Sequence, residues 1–151
     1  METHTLIDHY QSGRYADAEN LAKSITKSTP TSQLSWKILS AIFLQSGRFS
    51  EALTASHNSV RLSPNDTESR YNLGVVLHQL GRYEDAIESY LKAIALCPDH
   101  LQAHTNLGIL QQENGMLEDA VLSYRRVIEL QPNYAEIFVN LGNTLKELNR
   151  L

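Results

Sequence analysis

Six histidines, one cysteine and scattered serines, lysines and carboxylates are the side chains of this 151-residue chain best suited to act as ligands, bases or nucleophiles. His100 and His104 have the i,i+4 spacing that puts two metal ligands on one helix face, but no cysteine pair or second histidine pair accompanies them. His4, His9, His57 and His78 fall at unrelated spacings and read as surface or packing residues. Ser24-Ile25-Thr26-Lys27 has the serine-x-x-lysine spacing of a nucleophile beside a base, without the Ser-Asp-Asn or Lys-Thr-Gly companion that chemistry needs. Phosphate-cradling glycine loops, Gly-x-Ser-x-Gly and His-Glu-x-x-His are absent. The chain therefore reads as non-catalytic, with no cofactor and no metal. What does recur is an amide. Asn72, Asn106 and Asn140 each precede Leu-Gly at a step of 34 residues. Asparagine is a poor interior helix former, and its side chain offers both a donor and an acceptor.

The same step organises the whole chain. The four prolines are Pro30, Pro64, Pro98 and Pro132, each 34 residues after the last. Gly13, Gly47, Gly81 and Gly115 keep that interval, as do Ala18, Ala52, Ala86 and Ala120. A fixed period of this size identifies a repeat architecture. Within one unit the pattern predicts two helices. Tyr71, Leu73, Val76, Leu77 and Leu80 recur at three- and four-residue spacing, and Gly81 ends that helix as a left-handed C-terminal residue. A second helix is predicted from about Tyr83 to Leu96, with Ala86, Ile87, Tyr90, Ala93 and Ile94 on one face and Pro98 as its stop. Asp66 and Asp99 stand near the next helix starts, where a carboxylate suits unpaired amides. Gly74, Gly108 and Gly142 lie inside first helices, where glycine costs ~1 kcal/mol relative to alanine, so close backbone approach is expected at each. The alanines at 18, 52, 86 and 120 supply the facing small surface, with Leu73 and Tyr90, or Leu107 and Tyr124, filling the volume around it.

This pattern resembles the tetratricopeptide repeat, a 34-residue helix-turn-helix unit with Trp, Leu-Gly, Tyr, Ala, Phe and Pro at set offsets. Leu73-Gly74, Gly81, Tyr83, Ala86, Tyr90, Ala93 and Pro98 carry the likeness in residues 67–100. Leu107-Gly108, Gly115, Ala120, Tyr124 and Pro132 carry it in residues 101–134. Residues 33–66 match through Trp36, Leu39, Phe43, Gly47, Ala52 and Pro64, with Ser40 in place of the glycine and Ser56 in place of the aromatic. Residues 1–32 form a worn first unit, and 135–151 a half repeat or capping helix. The expected fold is all-α, a single array of nine helices in a right-handed superhelical solenoid. Trp36 and His104 fall on the family's buried position, so packing is expected of both.

The resemblance implies that first helices line the concave side. The second, sixth, ninth and thirteenth unit positions then form a stripe along it. The stripe is Glu68, Asn72, Val75 and Gln79 in the third unit, and Gln102, Asn106, Ile109 and Glu113 in the fourth. It continues as Glu136, Asn140, Asn143 and Glu147 in the fifth. The amide row looks like the asparagine ladder in the repeat domain of O-linked N-acetylglucosamine transferases, which implies capture of an extended peptide backbone. The expected peptide-binding residues are Asn72, Asn106 and Asn140, with Asn143 beside them and apolar anchoring near Tyr71, Val75 and Ile109. Ile38 ends the row in the second unit. Of the family's carboxylate clamp only Lys37 remains, with Ala41 where an asparagine belongs, so that mode is rejected.

Composition sets the bounds. Hydrophobic residues make up 42% and charged ones 20%, enough apolar content to bury a core and too much for intrinsic disorder. A net charge of −4, a pI near 5.8 and dispersed Lys and Arg argue against nucleic acid as a partner. No run approaches the ~18 apolar residues of a membrane span. The lone Cys97 permits no internal disulfide, and the first residues lack a secretory pattern, which predicts a cytoplasmic protein. Without secretion, the formal glycosylation acceptor Asn65-Asp66-Thr67 carries no meaning. The expected function is a protein-protein interaction scaffold binding a partner protein or extended peptide in the groove. Two alternatives stand beside it. One is the substrate-recruiting region of a larger glycosyltransferase-like or methyltransferase-like enzyme, since Gly13-Arg14-Tyr15-Ala16-Asp17-Ala18 is similar to how such arrays begin. The other is a self-assembly module whose open ends stack on another copy. Glu136, Asn143, Lys146 and Glu147 suit a polar capping face, whereas Phe138 and Leu151 suit a truncated one.

Overall fold

The computed structural model describes residues 1–150, so the reading of Leu151 lies outside the described residues. Nine helices follow one another: α1 (Glu2–Gln11), α2 (Tyr15–Ser28), α3 (Gln33–Gln45), α4 (Phe49–Leu62), α5 (Thr67–Gln79), α6 (Tyr83–Leu96), α7 (Leu101–Glu113), α8 (Leu117–Leu130) and α9 (Ala135–Leu148). Each helix packs on the next in sequence, which gives a superhelical all-α solenoid rather than a closed bundle. Contacts that skip an element join first helices, α3 to α5, α5 to α7 and α7 to α9. The first helices therefore crowd together along the inner side of the curve.

Turn chemistry explains the regular phase. Gly13, Gly47, Gly81 and Gly115 take φ between 72° and 76°, a left-handed conformation that favours glycine. At Gly81 the amide of Arg82 donates to the Leu77 carbonyl and that of Gly81 to the His78 carbonyl, the paired bonds of a Schellman motif. The second turn is built around proline. Thr29, Ser63, Cys97 and Gln131 take φ between −135° and −141° and ψ between 77° and 90°, outside the helical region that a following proline disfavours. A bond not visible in any one repeat then ties the turn to the next helix. The Trp36 indole donates to the Pro30 carbonyl at 2.8 Å, the Arg70 guanidinium to that of Pro64 at 2.9 Å, and the His104 ring to that of Pro98 at 2.7 Å. Three unlike side chains at the fourth unit position do the same work, because each reaches an N–H across the same gap. His104 is buried as expected, whereas Trp36 is only half-buried.

The helix starts hold one correction. Asp66 caps α5 through the Ser69 amide at 3.0 Å, but Asp99 does not cap α7. The His100 ring does so instead, with Nδ1 accepting from the Ala103 amide at 3.1 Å, while Asp99 pairs with Arg126. The extended residue at the cap is His100 itself, which leaves Asp99 one residue too early.

The core is a row of small-to-large contacts. Ala18, Ala52, Ala86 and Ala120 are all fully buried, as are Tyr90 and Tyr124. A Cβ added at Gly74 would stand 2.7 Å from the Tyr90 ring, and one at Gly108 2.8 Å from the Tyr124 ring, so both glycines are required by close approach. Gly142 corrects the expectation for the fifth unit: nothing lies within 4 Å of a Cβ placed there, because no helix faces it among the described residues. In the second unit Ser40 and Ser56 meet in a buried hydroxyl pair where the glycine and the aromatic stand elsewhere.

Candidate functional site

The residues expected to bind belong to three first helices. Tyr71, Asn72 and Val75 project from α5, Asn106 and Ile109 from α7, and Asn140 and Asn143 from α9. Six of these are half-buried and Asn143 is exposed, and the expected anchors Tyr71, Val75 and Ile109 pack against the core. The three amides are not equivalent. The Asn106 side-chain N–H donates to the Tyr71 hydroxyl at 3.1 Å. Asn72 and Asn140 make no side-chain hydrogen bond among the described residues. Tyr71 is wedged between Tyr90 and His100, with ring centroids 6.1 and 4.9 Å away. Burial pushes its phenol above the ordinary range, against the pull of the Asn106 bond.

Side chains between units brace the groove. His100 donates through Nε2 to Glu68 at 2.8 Å, a tautomer set by its Nδ1 accepting at the α7 cap. His78 meets Glu113 at 3.0 Å. With both His100 nitrogens engaged and His104 tied to Pro98, the i,i+4 pair serves helix capping and turn closure. Lys37 pairs with Asp66 at 3.1 Å. Burial works to raise the Asp66 carboxyl, and the Ser69 hydroxyl, Lys37 and the Ser69 amide together hold it below the usual carboxylate range.

Two clefts differ in character. Toward the N-terminal end, α1, α3 and α5 enclose about 460 Å³ among Ile7, Tyr10, Leu34, Ile38 and Ala41, with Lys37, Glu68 and Asn72 at the rim. Periodicity of the later units hid this cleft, because Ile38 and Ala41 stand where the amide row stops and the first unit is worn. Toward the C-terminal end, α7 and α9 enclose about 440 Å³ beside Ile109 and Asn140, with Glu113, Glu136 and Glu147 around it.

Comparison with known proteins fits this geometry. Residues 76–115 and 113–149 match the family model described as TPR repeat, and residues 11–93 match one described as anaphase-promoting complex, cyclosome, subunit 3. Tetratricopeptide repeats occupy residues 76–149. No curated protein matches it. Among solved tetratricopeptide-repeat folds, a MamA protein is 21% identical over 96% of this chain and 81% of its own, with a TM-score of 0.88. MamA 41-end from Desulfovibrio magneticus RS-1 is 22% identical over 88% of this chain and 75% of its own, at 0.79. YrrB, described as a TPR protein with an unusual peptide-binding site, is 18% identical over 98% of this chain and 76% of its own, at 0.89. At these identities the likeness is one of fold. No helix among the described residues is long and apolar enough to cross a membrane.

Proposed function

We propose that this tetratricopeptide-repeat array is a non-catalytic recognition scaffold that holds an extended segment of a partner protein along its inner groove. The observation that carries the reading is the apolar cleft of about 460 Å³ among Ile7, Tyr10, Leu34, Ile38 and Ala41, opening beside Asn72 at the start of the amide row. The peptide-binding site of YrrB supports it by analogy of fold. Magnitudes assign the parts. Three neutral hydrogen bonds from Asn72, Asn106 and Asn140 give ~3 kcal/mol, against the ~8 kcal/mol of micromolar affinity. The remaining ~5 kcal/mol corresponds to roughly 200 Å² of apolar surface. One buried aromatic side chain supplies an area of that order, and the cleft accommodates one. The acidic surround of Glu113, Glu136 and Glu147 at the other end favours a lysine or arginine. The ligand is thus a segment with an apolar anchor at one end and a cation at the other.

Selection of a displayed random peptide library on the 151-residue chain tests this. Enriched peptides should share the anchor and the cation. Ala41→Trp, which fills the cleft, should abolish their binding, and Asn72→Ala/Asn106→Ala/Asn140→Ala should weaken it roughly 100-fold. A folded triple variant that binds as tightly as the parent would show that the amides do not read the ligand.

A further inference from the structure

Where one first helix meets the next, the residue at unit position five pairs with the N-cap residue of the following first helix. Across α3 and α5 these are Lys37 and Asp66, an ion pair at 3.1 Å. Across α5 and α7 they are Tyr71 and His100, whose ring centroids lie 4.9 Å apart. Across α7 and α9 they are Thr105 and Tyr134, and no hydrogen bond joins them among the described residues. The Thr105 hydroxyl turns back to the Leu101 carbonyl at 2.9 Å. Thr105 and Tyr134 instead line a cleft of about 340 Å³ with Gln102, Asn106 and Gln131.

Tyr71 shows what such a place holds. Its ring sits between His100 and Tyr90, with centroids 4.9 and 6.1 Å away, and its hydroxyl accepts from the Asn106 side chain at 3.1 Å. Each of these three partners has a counterpart 34 residues later: Tyr134 for His100, Tyr124 for Tyr90 and Asn140 for Asn106. Only the ring that would join them is replaced, by Thr105. Tyr90 has Tyr71 and His78 beside it, whereas no ring stacks on Tyr124 among the described residues. Tyr124 and Asn140 line the adjoining cleft of about 440 Å³ along the same helices. Size permits an incoming ring, since a cavity of roughly 150 Å³ already holds benzene.

We infer that the α7–α9 crossing is a tyrosine socket, in which a tyrosine side chain of the bound segment enters beside Thr105, stacks on Tyr134 and accepts a hydrogen bond from the Asn140 amide, as Tyr71 accepts from Asn106 one unit earlier. This rests on the groove reading and adds a third feature to its ligand, a tyrosine near the cation that Glu113, Glu136 and Glu147 favour. The ring gains area and aromatic contact at Tyr134. The hydroxyl sets the choice of ring, because a phenylalanine there would leave the Asn140 donor without an acceptor.

Titration of the isotope-labelled chain with N-acetyl-tyrosinamide, followed by NMR, reads the socket without any peptide. The Asn140 side-chain amide and the Thr105 and Tyr134 backbone amides should shift, with a dissociation constant on the order of millimolar for so small a ligand. N-acetyl-phenylalaninamide should bind about five-fold more weakly, the effect of one neutral hydrogen bond. Asn140→Ala should erase that difference. Thr105→Tyr should place the chain's own ring in the socket and abolish binding of both compounds; if it does not fold, the Asn140→Ala comparison decides alone. Three results overturn the assignment: no shift at these residues up to roughly 20 mM, equal binding of the two compounds to the parent, or a folded Thr105→Tyr that binds like the parent. Library peptides that share the anchor and the cation while N-acetyl-tyrosinamide shifts nothing would keep the groove reading and sink the socket. Socket binding without any enriched peptide would do the reverse.

Discussion

Where α3 crosses α4, Ser40 and Ser56 meet as a buried hydroxyl pair; where α5 crosses α6, Gly74 receives the ring of Tyr90. The α7–α8 crossing repeats the second solution with Gly108 and Tyr124. Glycine without the ring would leave a void, and serine under the ring would clash, so the two positions change together. The fold thus demands a filled and satisfied crossing rather than a particular residue. The two solutions differ in what holds them, dispersion and area at α5–α6 against one hydrogen bond at α3–α4.

The largest effect should come from breaking the ring solution. Tyr90→Ser removes a fully buried aromatic and leaves a cavity, which costs about 3–5 kcal/mol. Adding Gly74→Ser rebuilds the hydroxyl pair of the second unit and should return ~1 kcal/mol. Urea unfolding of the single and double variants, read as a double-mutant cycle, measures the coupling. A double variant less stable than Tyr90→Ser alone would mean that the serine pair depends on its own unit and not on the crossing.

An intermediate effect separates the solutions by pH. Burial, with Glu113 adding to it, pushes the Tyr124 phenol up to about 12 from its ordinary 10.0. Tyr90 is likewise raised, by burial first and by Tyr71 second. Between these values the unfolded chain has lost the proton and the folded chain still holds it. Stability present below pH 10 is therefore lost as pH rises toward 12. The serine crossing contributes nothing to that slope. Tyr90→Phe/Tyr124→Phe should flatten the fall of melting temperature across this window. At neutral pH, Tyr90→Phe should cost little, since the buried Tyr90 hydroxyl has no partner of good geometry among the described residues and the nearby Asn106 amide donates to Tyr71 instead. An unchanged alkaline slope in the double variant would assign the effect to other groups.

Much of this was legible because the chain repeats itself. The prolines and turn glycines predicted α6 at Tyr83–Leu96, and the helix stands there, since a left-handed turn and a proline stop leave few other boundaries. The amide positions were equally visible, as any residue returning every 34 positions shares one face. What periodicity hides is whatever differs between units. Trp36, Arg70 and His104 share one bond through unlike chemistry, so no residue type marks it. The bond from Asn106 to Tyr71 and the apolar cleft at Ile7 and Ile38 depend on neighbouring units, and spacing within a unit says nothing of them.

The smallest effect uses the glycine that the crossing does not constrain. Gly74 and Gly142 hold the same unit position in equally regular helices, so backbone propensity favours alanine at both by up to ~1 kcal/mol. Packing divides them. At Gly74 an added Cβ would press on the Tyr90 ring at 2.7 Å, and Gly74→Ala should destabilise by ~1–3 kcal/mol. At Gly142 the Cβ meets nothing among the described residues, so Gly142→Ala should stabilise by a few tenths to ~1 kcal/mol. Thermal unfolding of the two variants compares the signs. Opposite signs isolate the ring as the reason glycine returns in the inner units. A gain at both positions would mean that Tyr90 yields to a methyl group, and the crossing would then be looser than its geometry implies.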